Sequence, residues 1–69
     1  MTITAPVSGT LSRWLLPEGQ QVAPDDTIAV MEAMKMETRI EATQAGRLTH
    51  LIAEGNAVAF GTPLARITA

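Results

Sequence analysis

The chain repeats itself, and the repeat restricts its fold more than any other property of the sequence. Gly9-Thr10-Leu11-Ser12-Arg13-Trp14-Leu15 matches Gly46-Arg47-Leu48-Thr49-His50-Leu51-Ile52 at an offset of 37 residues. After a one-residue slip, Glu18-Gly19-Gln20-Gln21-Val22 matches Glu54-Gly55-Asn56-Ala57-Val58 at an offset of 36. The offset of 36 also pairs Ile28-Ala29-Val30-Met31 with Leu64-Ala65-Arg66-Ile67. Two copies are too few for a solenoid, which needs about three stacked units to bury its faces. Two half-domain copies in 69 residues predict one small domain over residues 1–69 with approximate two-fold symmetry.

Each half reads as strand, turn, strand. Short β-capable runs at Thr10–Leu16, Thr27–Met31, Glu37–Ala42, Arg47–Ala53 and Pro63–Thr68 are separated by turn residues. Glu18-Gly19 and Glu54-Gly55 supply glycines for positive φ, and Pro17, Pro24 and Pro63 sit where a helix interior would not accept them. Alternation in Thr27-Ile28-Ala29-Val30 sets Ile28 and Val30 on one face. The competing reading is a helix across Val30–Ile40, because Met, Glu, Ala and Lys are good helix formers. The repeat opposes it, since the matching stretch Leu64–Ile67 has strand character.

Lys35 plus 36 is 71 and Lys35 minus 37 is −2, so its symmetry mate is the gap between the chain ends. A two-fold axis then sets the Lys35 turn at one end of the domain and both termini near the other. The segment Ala33-Met34-Lys35-Met36 is unusual for a turn, which normally carries Gly, Asn, Asp or Pro. Two methionines around an acylatable amine suggest a contact surface at an exposed tip. The alternative is that both methionines fold into the core and Lys35 is a solvated turn residue.

Composition narrows the function. The net charge is −2, and the five basic residues Arg13, Lys35, Arg39, Arg47 and Arg66 are scattered, which argues against a nucleic-acid partner. Trp14 and Phe60 are the only aromatic residues, too few for a base-stacking platform. No apolar run nears the ~18–20 residues of a bilayer span, so no membrane role is expected. The start, Met-Thr-Ile-Thr-Ala-Pro, does not read as a signal peptide. With no cysteine, disulfides and thiolate metal sites are excluded. A cytoplasmic domain is the resulting expectation. Asp25-Asp26 and Glu32 with Glu37 are read as solvated rather than as a metal or acid–base pair, and His50 as a solvent-facing strand residue. No catalytic or metal-binding residue is assigned.

The run Glu32-Ala33-Met34-Lys35-Met36-Glu37 resembles the attachment motif of biotinyl domains, the carboxyl carriers of the biotin/lipoyl-attachment family. The resemblance spans nearly the whole chain, through Ala5-Pro6-Val7-Ser8-Gly9-Thr10, Glu18-Gly19-Gln20-Gln21-Val22, Ile40-Glu41-Ala42 with Gly46 and Leu48, and Phe60-Gly61-Thr62-Pro63-Leu64. It implies an all-β fold, a flattened sandwich of two four-stranded antiparallel sheets, with the lysine on an exposed hairpin. It also implies covalent biotin on Lys35, joined by a biotin protein ligase, with Glu32, Ala33, Met34, Met36 and Glu37 forming the recognised surround. By the same resemblance, a biotin carboxylase loads carboxylate onto the biotin using ATP and bicarbonate. A carboxyltransferase or decarboxylase partner then takes it, and the domain itself is a carrier rather than an enzyme.

Two departures from the family pattern are visible. Asp25 stands where glycine is common, and Asp tolerates the left-handed conformation that such a turn needs. Thr43 replaces a common proline. No insertion separates Leu16 from Gln21, so the protruding thumb of some acetyl-CoA carboxylase carriers is not expected. Two readings compete with a biotin carrier. One is a lipoyl carrier domain of an acyl-transfer complex, whose motif usually has Asp before the lysine and no flanking methionines. The other is an interaction module that is never modified.

Overall fold

The computed structural model describes all residues, Met1–Ala69. Eight strands form in order: β1 (Thr2–Thr4), β2 (Gly9–Trp14), β3 (Gln21–Val22), β4 (Thr27–Ala33), β5 (Met36–Glu41), β6 (Gly46–His50), β7 (Ala57–Val58) and β8 (Pro63–Thr68). Every pairing is antiparallel. The strands sort into two four-stranded sheets, ordered β1-β8-β6-β3 and β5-β4-β2-β7. Exchanging each strand for its repeat mate (β1 for β5, β8 for β4, β6 for β2, β3 for β7) converts one order into the other. Each sheet takes two strands from each half of the chain, so neither half completes a sheet alone.

The core shows the same symmetry. Its 14 buried residues are Ile3, Ala5, Leu11, Val22, Ile28, Ala29, Met31, Ile40, Ala42, Leu48, Val58, Leu64, Ala65 and Ile67. They fall into seven mate pairs, and Ile3/Ile40, Ala5/Ala42, Leu11/Leu48, Val22/Val58 and Ala29/Ala65 are identical within the pair. A symmetric interior needs the same side-chain volume at both mates to stay close-packed, which explains why the repeat is strongest at these positions.

No helix forms over Val30–Ile40. β4 and β5 pair there from Thr27↔Glu41 to Ala33↔Met36. The expected face of Ile28 with Val30 is corrected, because the register shifts between Thr27 and Ala29. That shift brings Ala29 and Met31 into the core beside Ile28, while Val30 is buried outside the cluster. The strands expected to run to Leu16 and Ala53 stop at Trp14 and His50. Beyond those residues the chain turns towards Glu18 and Glu54, whose carboxylates accept the backbone N–H of His50 (2.7 Å) and Trp14 (2.8 Å) respectively. β3 and β7 have only two residues each and do not reach these amides. A side chain takes the place of the missing strand neighbour, which satisfies the donor.

Register also relocates the slip between the repeats. β2 carries an irregularity between Leu11 and Arg13, after which Trp14 pairs with Ala29 as His50 pairs with Ala65. Trp14 is therefore the mate of His50, not of Leu51, and the extra residue is a bulge at Ser12. The two mates stack on each other with ring centroids 3.8 Å apart and planes 8° from parallel. Trp14 Nε1 donates to the Ile52 carbonyl and His50 Nε2 to the Leu16 carbonyl, both at 2.9 Å. His50 is thus a half-buried ring at the waist of the molecule, and its expected solvent-facing position is corrected. An acceptor-only carbonyl requires the proton on Nε2.

The sheets give the molecule two poles along its 33 Å length. At one, the end of β4 lies beside the start of β2, which pairs with the end of β7 through Gly9↔Val58. β8 starts near this pole, where Ala5 exchanges backbone bonds with Gly61 and Thr62. β8 then runs to the other pole, where the Met1 ammonium donates to the Ile67 carbonyl at 2.9 Å.

Candidate functional site

The Lys35 tip is the shortest hairpin connection the chain can make. Ala33 and Met36 are paired across the ladder, leaving Met34 and Lys35 as a two-residue loop. Both have positive φ, 51° for Met34 and 66° for Lys35. This is a type I′ turn, whose twist matches that of the flanking strands and which normally selects Asn-Gly. Holding two L-residues with side chains in this region costs roughly 1–2 kcal/mol each. The turn therefore contradicts local preference, and such contradictions collect where a side chain is needed for something other than folding.

Exposure agrees with that reading. Met34 is 95% exposed and Met36 71%, and Lys35 is exposed between them. The alternative in which both methionines fold into the core is therefore excluded. Ala33 is half-buried at the base of the tip, while Glu32 and Glu37 are exposed and directly opposite each other in the ladder. Like charges in that position repel, and Lys35 is the one positive charge in the Glu32–Glu37 segment. Acylating its amine would leave the pair of carboxylates uncompensated. The tip offers a primary amine on a long flexible stem, with no concavity around it. The two surface depressions lie elsewhere, between edge strands β1 and β5 and beside the Trp14–His50 stack, and none of residues 32–37 lines either one. This geometry fits a group carried in solution on the lysine better than one bound in a pocket.

The base of the hairpin rests on Gly9. A Cβ there would collide with the Glu32 carbonyl oxygen and come within 3.0 Å of Ala33 Cβ. Gly46 does the same at the opposite pole, where a Cβ would lie 2.6 Å from the Thr68 carbonyl oxygen and 2.7 Å from Ile67 Cγ2. In the sequence both glycines stand out as repeat markers and as members of the segments that carry the family resemblance, with no steric role visible. Their shared place at the head of each repeat was the available signal, but the close approach emerges only from the fold. Phe60 stands out in the sequence only as one of two aromatic residues and as the start of the closing motif. It is 72% exposed, its N–H donates to Ser8 Oγ at 2.9 Å, and it lies at the Lys35 pole.

The remaining candidates have structural duties. Asp25 takes a φ of 74° in the turn, where its mate Gly61 has 85°, so the carboxylate-bearing residue does what the glycine does. Asp26 Oδ2 accepts the Ala23 N–H at 2.8 Å and closes the same turn.

Comparisons with known proteins agree with the geometry. Residues 1–67 match the family model described as "Biotin-requiring enzyme". The alpha3 subunit of a biotin-dependent acyl-coenzyme A carboxylase from Mycobacterium leprae is 44% identical over 66 residues, 94% of this chain and 11% of that one. The biotin carboxyl carrier protein of acetyl-CoA carboxylase from Haemophilus influenzae is 43% identical over 70 residues, 90% of this chain and 45% of that one. The chain thus spans less than half the length of either relative. The lipoyl domain of the 2-oxoglutarate dehydrogenase complex from Azotobacter vinelandii superposes with a TM-score of 0.83 at 26% identity, over 100% of this chain and 96% of that one. A family match across almost the whole chain, joined to this double-sheet fold, decides the assignment: the chain belongs to the biotin/lipoyl attachment family.

Proposed function

We propose that residues 1–69 act as one carrier unit in which the Lys35 amine holds biotin through an amide. The observation that carries this reading is the Lys35 turn, in which an exposed amine sits in a left-handed two-residue loop that turn chemistry alone would not select. Bound biotin supplies a site that accepts and releases carboxylate. Everything else asked of the chain is positional. Met34, Met36 and the Glu32/Glu37 pair form the surface met by a biotin protein ligase, a biotin carboxylase and a carboxyltransferase or decarboxylase. The ladder beneath fixes the root of the arm, and the tether raises the effective concentration of the carried group at each partner's site. A cytoplasmic setting belongs to the same proposal. No helix in the structure is long and apolar enough to cross a membrane.

The likeness to a lipoyl domain keeps a lipoyl carrier as the second reading. Met34 and Met36 around the lysine, where lipoyl motifs usually have Asp before it, favour biotin. One experiment tests both. The domain is incubated with ATP and either a biotin protein ligase and biotin or a lipoate ligase and lipoate, and intact masses of wild type and Lys35→Arg are compared. Wild type is expected to gain one biotin, and Lys35→Arg none, with an unchanged melting temperature because this side chain lies in solvent. An unmodified wild type, a modified variant or a lipoyl increment overturns the proposal.

A further inference from the structure

We propose that Met34 and Met36 are sulfoxidation sites, and that their oxidation by a peroxide closes the Lys35 hairpin to the enzyme that modifies it. The functional half of this proposal rests on Lys35 being the biotin attachment point. The chemical half does not.

The chain's four methionines occupy graded environments. Met31 is 0% exposed in the core, Met1 is 49% exposed with its sulfur accepting the Thr43 hydroxyl at 2.8 Å, Met36 is 71% exposed and Met34 95%. Oxidation of a thioether requires the peroxide oxygen to reach a sulfur lone pair. The sulfur donates that pair to the terminal oxygen, the O–O bond breaks, and sulfoxide and water are formed. Reversal consumes two thiols and yields a disulfide and water, as sulfoxide reductases catalyse. Accessibility therefore orders the sites Met34, Met36, Met1, with Met31 protected.

The consequence differs by site for a physical reason. A sulfoxide at Met31 would place a polar group in an interior with no partner for it. At Met34 and Met36 both forms of the side chain stand in water, so the fold does not register the change. What changes is the surface either side of Lys35, from flexible and apolar to polar and chiral. Any enzyme that grips the hairpin to reach Lys35 must contact residues one position away. The carrier would thus have a modification that is silent for stability and felt only at recognition.

The test begins with the unmodified domain, because biotin has a thioether of its own. Hydrogen peroxide is applied, then removed with catalase, and sulfoxides are mapped by peptide mass. Oxidation is expected at Met34 first and Met36 second, with Met31 unchanged and the melting temperature unaltered. Oxidation of Met1 or Met31 ahead of the tip methionines, or a fall in melting temperature, overturns the site assignment. Biotin protein ligase, ATP and biotin are then added. The initial rate on the doubly oxidised domain is expected to be roughly fivefold to thirtyfold lower, the ratio that follows from losing one or two apolar contacts. Treatment with sulfoxide reductase and thiol should restore it, and Met34→Leu/Met36→Leu should show equal rates before and after peroxide. Equal rates on oxidised and unoxidised wild type overturn the recognition claim. Failure of the unoxidised domain to accept biotin would instead refute the attachment proposal, leaving the oxidation map intact.

Discussion

The two poles of the molecule are built from mate strands, yet only one is closed by a turn. At the first, β4 and β5 are joined through Met34 and Lys35, both left-handed. At the second, β8 and β1 form the equivalent ladder, Thr2↔Arg66 to Thr4↔Pro63, with no covalent connection. Even the irregularities match, one between Ile3 and Thr4 and the other between Thr27 and Ala29. The open pole shows that this ladder forms without a turn, because core packing behind it supplies the stabilisation. The connection at the closed pole is thereby released from folding duty. A strained Met-Lys pair is tolerated there because the sheet over-determines the hairpin.

Four substitutions probe that comparison. Trp14→Ala removes the stack at the waist, which serves both poles alike. It should cost about 2–4 kcal/mol in urea unfolding, near the lower range for removing a large aromatic because Trp14 is only half-buried. Amide exchange should speed up equally in β5 and β1, and protection lost in only one of them would show that the poles are not equivalent. Gly9→Ala and Gly46→Ala impose the same kind of clash at opposite poles and should each cost about 1–3 kcal/mol. If Lys35 is the attachment point proposed above, only Gly9→Ala should also slow its modification, because only it displaces the root of that hairpin. Equal slowing by Gly46→Ala would mean that the rate follows general stability instead. The smallest effect is a gain. Met34→Asn should stabilise the domain by about 0.5–1 kcal/mol, since Asn tolerates the left-handed region, while weakening recognition at Lys35. An unchanged or lower melting temperature would show that the turn stores no strain.

What the sequence disclosed and what it withheld divide along physical lines. Symmetry was legible because close packing demands equal volumes at Leu11 and Leu48, or at Val22 and Val58. The Glu-Gly turns were legible because positive φ has a chemical signature, and Gly19 and Gly55 indeed take 83° and 85°. The bulge at Ser12 has no such signature, so the repeat was aligned one residue out of register at Trp14. β3 and β7 are too short for alternation to appear. The close approach of Gly9 to Glu32 joins residues far apart in sequence and becomes visible only once β2 and β4 are side by side. The Lys35 tip was found as an oddity, a turn with the wrong residues, and its left-handed geometry gives that oddity a cause.

The interlocking of the two halves also has a consequence in time. β1 has no partner until β8 exists, and β2 needs both β4 and β7, so contacts of long sequence separation must be made before either sheet is complete. Such topologies assemble late and cooperatively. A strained turn that the finished sheet alone makes tolerable is then a mark of maturity. An enzyme that recognises its shape would act on finished molecules and pass over nascent ones, without any separate means of telling them apart.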